Sequence, residues 1–126
     1  MPVETIIDTS RNIIIRTATG LLTLEEAQQA FVSLLSHPDF KQDMHVIWDM
    51  NEADISHLTS DQFMTMIEFI QHHTDSRGDN YKIALIASSD LTYGMSRMFE
   101  SHGYKLPVSI RVFRELAQAY SWIEGK

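Results

Sequence analysis

Residues 81–99 read YKIALIASSDLTYGMSRMF, and the reading of this stretch decides the fold. Its first half, Ile83-Ala84-Leu85-Ile86-Ala87, is a nearly continuous apolar run, the mark of a strand buried on both faces of a sheet. Its second half places Leu91, Met95, Met98 and Phe99 at the helical spacing i, i+4, i+7, i+8. Ser88-Ser89-Asp90 between them suits a turn that runs into a helix cap. Strand, short polar turn and helix make the repeating unit of an α/β domain, and such folds bind ligands at that turn.

Toward the N-terminus the same alternation continues. Residues 4–18 read as two strands around the turn Asp8-Thr9-Ser10-Arg11-Asn12, with the β-branched run Ile13-Ile14-Ile15 in the second and Gly20 ending it. Thr23-Leu24-Glu25-Glu26 is a capping box, followed by the apolar stripe Leu24, Ala27, Phe31, Leu34 and Leu35. Pro38 stops that helix near Ser36 or His37. His45 to Met50 reads as a strand, Asn51 to Leu58 as a loop, and Thr59 to Gln62 as a second capping box. Leu58 and Phe63 are placed for a hydrophobic staple, and Phe63, Met66, Ile67 and Ile70 form the buried stripe of the helix that follows. Asp75 to Asn80 reads as a turn cluster.

Toward the C-terminus, Gly103 sits where a helix ends, and Ser109 to Phe113 alternates as a half-exposed edge strand does. A last helix begins at Arg114 and carries Leu116, Ala119, Tyr120 and Ile123 on one face. The expected order is β-β-α-β-α-β-α-β-α. That predicts an α/β fold with a mostly parallel five-stranded sheet and an antiparallel N-terminal strand.

Composition narrows the function. A chain of 126 residues with 44% apolar content is expected to form one domain, residues 1–126, with a core that needs no staples. The absence of cysteine excludes disulfides, thiol catalysis and cysteine-ligated zinc. MPVETIID lacks a basic region followed by an apolar core, and no apolar run approaches the roughly 18 residues that span a bilayer, so a cytoplasmic location without a membrane span is expected. A net charge of −7 argues against nucleic acid as a partner. The charge is uneven, with 12 acidic and 3 basic side chains in residues 1–75 and 5 and 7 in residues 76–126. Arg97, Lys105, Arg111 and Arg114 give the second part a weakly basic character, suited to a small anion or an acidic partner.

The element order, the Trp48-Asp49 pair, the segment SSDLTYGMSRMFE and the ending IRVFRELAQAYSWIE together resemble the bacterial SpoIIAA-like proteins of the STAS group (sulfate transporter and anti-sigma factor antagonist domains), some of which are labelled STAS/SEC14-like. The resemblance covers nearly the whole chain. It implies a compact, non-enzymatic β/α domain, often dimeric, that acts on a protein partner. Better-known members of the group are switched by phosphorylation of a serine in a D-S-S-G-like phrase. Here that place reads Asp54-Ile55-Ser56-His57-Leu58-Thr59-Ser60, without the phrase, so the switch does not carry over.

The candidate ligand groups follow from the rule that parallel sheets bind beyond the carboxyl ends of their strands. Those ends supply Asp49 and Asn51, then Ser88, Ser89 and Asp90, then Arg114, with Tyr93 and Arg97 one turn into the helix. They could hold a small anionic or lipid ligand at the helix N-terminus. Equally, Ser89 or Asp90 could cap the helix while Arg97 pairs with Asp49 or Asp90. The adjacent His72 and His73 point about 100° apart on a helix, which disfavours a metal site. No nucleophile elbow, P-loop or dinucleotide fingerprint is present, so neither catalysis nor a cofactor is expected. Met64 and Phe69 lie beside the main stripe of their helix and could form either an apolar patch for a homodimer or a protein partner or the second flank of a wide buried stripe.

Overall fold

In the computed structural model, which describes residues 2–125, the two N-terminal apolar runs form an antiparallel hairpin. Strand β1 (Val3–Asp8) pairs with β2 (Ile13–Leu21) from Val3 opposite Ala18 to Asp8 opposite Ile13. The Asp8 carboxylate closes the turn by accepting from the Ser10 N–H (3.1 Å), the Ser10 hydroxyl (2.6 Å) and the Arg11 N–H (3.2 Å). Asn12 takes the left-handed conformation there, which a short polar side chain tolerates.

The chain then alternates: α1 (Leu24–Leu35), β3 (His45–Asp54), α2 (Ser60–His72), the short α3 (Thr74–Arg77), β4 (Lys82–Ile86), α4 (Asp90–His102), β5 (Ser109–Phe113) and α5 (Leu116–Ile123). The strands lie side by side in chain order, and every pair after the first is parallel. Both capping boxes form as the sequence predicts: Thr23 with Glu26 starts α1, and Thr59 with Gln62 starts α2. Ser89, rather than Asp90, caps α4 by accepting from the Thr92 N–H.

Several details differ from the expectation. Helix α5 begins at Leu116 after its Glu115 cap rather than at Arg114, and Leu116 is exposed. Gly20 does not end β2, and residues 51–54 are strand rather than loop. A register shift between Thr17 and Thr19 lets Thr19, Gly20 and Leu21 pair with Glu52, Ala53 and Asp54, with Gly20 at positive φ. The turn cluster 75–80 begins inside α3, whose Arg77 is buried. Helix α4 is rotated from its predicted stripe: Leu91 and Met98 are exposed (63% and 43%), while Ser96 is buried and Met95 and Phe99 pack inward.

Side-chain alternation divides the core by sheet face. Ile13, Ile47, Ala84 and Ile86 pack with Ala119 and Ile123 of α5 on one side. Ile14, Val46, Ile83, Leu85 and Val112 point to the other, which α1, α2 and α4 cover through Leu34, Phe31, Ile67, Ile70, Met66 and Phe99. Among the described residues no helix is long and apolar enough to cross a membrane.

At the amino end of the parallel strands, His45 Nδ1 accepts from the Lys82 N–H at 3.0 Å. That bond needs the neutral ring. Burial first, then the charges of Lys82 and Arg77, hold the imidazole below its ordinary value of 6.5, with Asp43 opposing them. The unfolded chain therefore binds the extra proton more readily than the folded one. Stability from this group is present above about pH 6.5 and is lost as pH falls from there through the lower folded value. Urea denaturation between pH 7.5 and 5.0 is expected to show that loss. His45→Gln is expected to flatten the curve in this window.

Candidate functional site

The carboxyl ends of the strands bring most of the predicted ligand groups together, but as a bonded set. Asp49 Oδ1 accepts from the Asn51 N–H (3.0 Å), and Asn51 Oδ1 accepts from the Ser88 N–H (2.8 Å). Arg114 Nη1 donates to the Ser88 carbonyl and to Asp90 Oδ1, both at 2.9 Å, and its guanidinium lies 3.9 Å from the centre of the Tyr93 ring. Arg97 does not pair with Asp49 or Asp90. Its interactions are with Tyr93 and with Glu100 (3.6 Å), which together raise its pKa above the ordinary value. The cation that reaches Asp90 comes instead from β5, because Arg114 immediately follows the strand beside β4. None of these eight residues lines the cavity described next.

The hydroxyls around the second capping box are also engaged. Ser56 Oγ donates to Asp54 Oδ1 (2.6 Å), Thr59 caps α2, and Ser60 Oγ lies 2.8 Å from His102 Nε2. The patch expected from Met64 and Phe69 does not form as a pair. Met64 is exposed, but Phe69 packs edge-on against Phe31 (5.4 Å between ring centres) and against His73.

Between the sheet and helices α1, α2 and α4 lies a cavity of about 130 Å³. Val46, Trp48 and Met50 of β3 run along its floor, three alternate residues spanning about 13 Å of strand. Ala27 and Phe31 of α1, Phe63 and Met66 of α2, and Met95, Ser96 and Phe99 of α4 form its roof. Its partly exposed lining includes the two capping-box helix starts, through Thr23, Leu24, Leu58 and Gln62. The walls are mostly apolar; besides the neutral polar side chains of Thr23, Gln62, Ser96 and Tyr81 they hold two charged ones, Arg16 and Arg77.

Both arginines are 2% exposed. Arg16 belongs to β2, opposite Trp48, and stands between Ile14 and Ala18 on the face that points into the cavity. Its guanidinium lies 5.5 Å from the centre of the Trp48 ring. Arg77 ends α3 and stacks 3.8 Å from the centre of the Tyr81 ring, with Nη2 donating to the Met44 carbonyl at 2.7 Å. The Nη1 atom of each is buried and without a hydrogen-bond partner, and among the described residues neither arginine forms an ion pair. Burial, and to a lesser degree the neighbouring Arg77, lowers Arg16 to about 10, so it stays cationic at neutral pH. Burial likewise lowers Arg77, against the opposing pull of Tyr81 and Asp43. Sequence reasoning overlooked both residues. The signal for Arg16 was its even spacing with Ile14 and Ala18 in an otherwise apolar strand face. Arg77 had no signal, because a charged residue in a polar turn is ordinarily solvated.

No family model matches the chain, and no curated protein matches it at a significant level. Its fold is similar to that of an uncharacterized protein from the DUF3478 family, with a SpoIIAA-like fold, from Shewanella loihica PV-4. The two share 17% sequence identity at a TM-score of 0.60, over 96% of this chain and 93% of the other. The fold of the chain is therefore SpoIIAA-like, as the sequence phrases implied.

The placement of Arg77 depends on Gly78. That glycine has φ +110°, and a Cβ there would run into the Asp43 carboxylate and come within 2.7 Å of the Asp43 backbone nitrogen. The Asp43 N–H in turn donates to the Arg77 carbonyl at 3.1 Å. Gly78→Ala is expected to destabilise the fold by about 2–3 kcal/mol, since it meets both an unfavourable φ and backbone atoms. Urea titration measures this, and a loss of less than about 0.5 kcal/mol would show that the segment shifts freely.

Proposed function

We propose that the protein is a non-catalytic binding domain that takes up a small apolar molecule in the cavity between its sheet and helices α1, α2 and α4. The observation that carries this reading is the cavity itself. An apolar space of about 130 Å³ inside a 126-residue chain is close in size to engineered cavities that bind benzene. Native interiors are ordinarily packed without such voids, and each one forfeits dispersion contacts. The walls also collect aromatic faces from Phe31, Trp48, Phe63 and Phe99, which suit a flat or flexible hydrocarbon.

The test uses toluene, an uncharged probe of the cavity's size, in isothermal titration calorimetry. Binding that saturates at one probe per chain is expected. Ser96→Leu places a larger side chain into the cavity from α4 and is expected to weaken binding by about tenfold while the circular dichroism spectrum stays unchanged. Unaltered binding by a folded Ser96→Leu protein would reject the cavity as the site.

A second reading, association with a protein partner or a second copy, draws on α4. Leu91 and Met98 are exposed seven residues apart on one face of that helix, and nothing lies within 4 Å of a Cβ at Gly94 between them. This reading expects a dimer in sedimentation velocity that Leu91→Asp converts to monomer. A monomer at all concentrations tested would count against a homodimer.

A further inference from the structure

The two arginines ask for more than an apolar guest. We infer that the cavity takes an organic anion, a monocarboxylate with an apolar body of about six to eight carbons, whose headgroup is held by Arg16 and Arg77. The inference rests on the reading of the cavity as a ligand site and assigns the chemistry of its guest.

The argument starts from cost. A guanidinium removed from water without a countercharge is strongly unfavourable, so buried arginines are ordinarily paired with carboxylates. Here two of them, each 2% exposed, line one cavity. They lie close enough for Arg77 to act on Arg16 as a like charge. Among the described residues no Asp or Glu lines the cavity. The carboxylate that acts on Arg77, Asp43, is engaged with the Asn80 N–H at 2.9 Å. Stacking on Trp48 and on Tyr81 and Phe40 offsets part of the cost through the ring quadrupoles. It leaves the Nη1 atoms of both residues without an acceptor.

A carboxylate supplies what is missing, since it accepts from guanidinium N–H groups in a matching planar geometry and neutralises one of the two charges. The rest of the lining selects the rest of the molecule. Leu22, Ile55, Met66, Met95 and Phe99 offer no polar partner to a second charged group. A cavity of this size accommodates a body of about six carbons, and the partly exposed lining at the helix starts leaves room for a few more. A cation would meet two like charges in a low-dielectric space and be rejected.

Octanoate, 1-octanol and octylammonium share a chain and differ in headgroup, so their competition against toluene, the probe, in displacement calorimetry at pH 7.5 tests the assignment. Octanoate is expected to displace the probe at least about tenfold more tightly than 1-octanol, with octylammonium the weakest. Arg16→Met and Arg77→Met keep an apolar side chain of similar reach. Each is expected to remove the preference for octanoate, bringing the ratio of octanoate to 1-octanol affinity within about twofold of one. Arg77→Met decides the matter should Arg16→Met fail to fold. Equal displacement by octanoate and 1-octanol, with the probe still bound, would overturn the anion assignment and leave the apolar cavity standing. So would an octanoate preference that survives in either folded variant. Failure of the probe itself to bind would remove both readings.

Discussion

Parallel strand pairing is the constraint on which the remaining structure depends. From β2 to β5 each strand runs beside its neighbour in the same direction, so each connection must cross a face of the sheet and cover it. All three connecting helices, α1, α2 and α4, lie on one face, and α5 packs on the other, so the middle of the sheet is buried on both sides. This is why β4 reads as an unbroken apolar run, and why a single polar residue in β2 has consequences. Arg16 points to the face that the three connecting helices cover, whereas its neighbours Ile15 and Thr17 on the other face are half-exposed.

The two cores are packed differently. On the α5 side small residues let the helix come close: Ala84 and Ala119 belong to one buried cluster, and both are fully buried. On the opposite side three helices must share one face with the long side chains of Arg16 and Trp48 standing between them and the sheet. The Gly103 end of α4 does close tightly, for a Cβ there would come within 2.6 Å of Ile110 Cδ1 and 3.1 Å of Ile67 Cδ1. Farther along the helix, Ser96 and Met95 face open volume instead. The cavity therefore sits where a buried charge and a short side chain prevent three helices from settling on the sheet.

Much of this architecture is legible in the sequence, for identifiable reasons. Capping boxes at Thr23 and Thr59 are local, and nothing tertiary competes with them. The hairpin at Asp8 is fixed by a carboxylate that bonds residues two and three positions away. The extension of β3 through residues 51–54 was hidden, because it depends on a bulge in a different strand. The rotation of α4 was hidden too: apolar Leu91 and Met98 face water there, and hydroxyl-bearing Ser96 faces the core, against the pattern of polarity. The site suffered most. Position rules led to the carboxyl ends of the strands, where Arg114 is occupied with Asp90 and Asn51 with the Ser88 N–H. The cavity lies under the sheet face, and its charged members come from elements that are distant in sequence.

One arrangement described above gives the molecule an optical asymmetry. Its two tryptophans stand on opposite sides of the sheet. Trp48 lines the cavity beneath the Arg16 guanidinium, whereas Trp122 packs with Phe113 and Lys82 on the α5 side. Indole emission responds to nearby charge and solvent, so the two rings divide the intrinsic fluorescence into a signal and a reference. The first follows whatever enters the cavity; the second follows only the integrity of the fold.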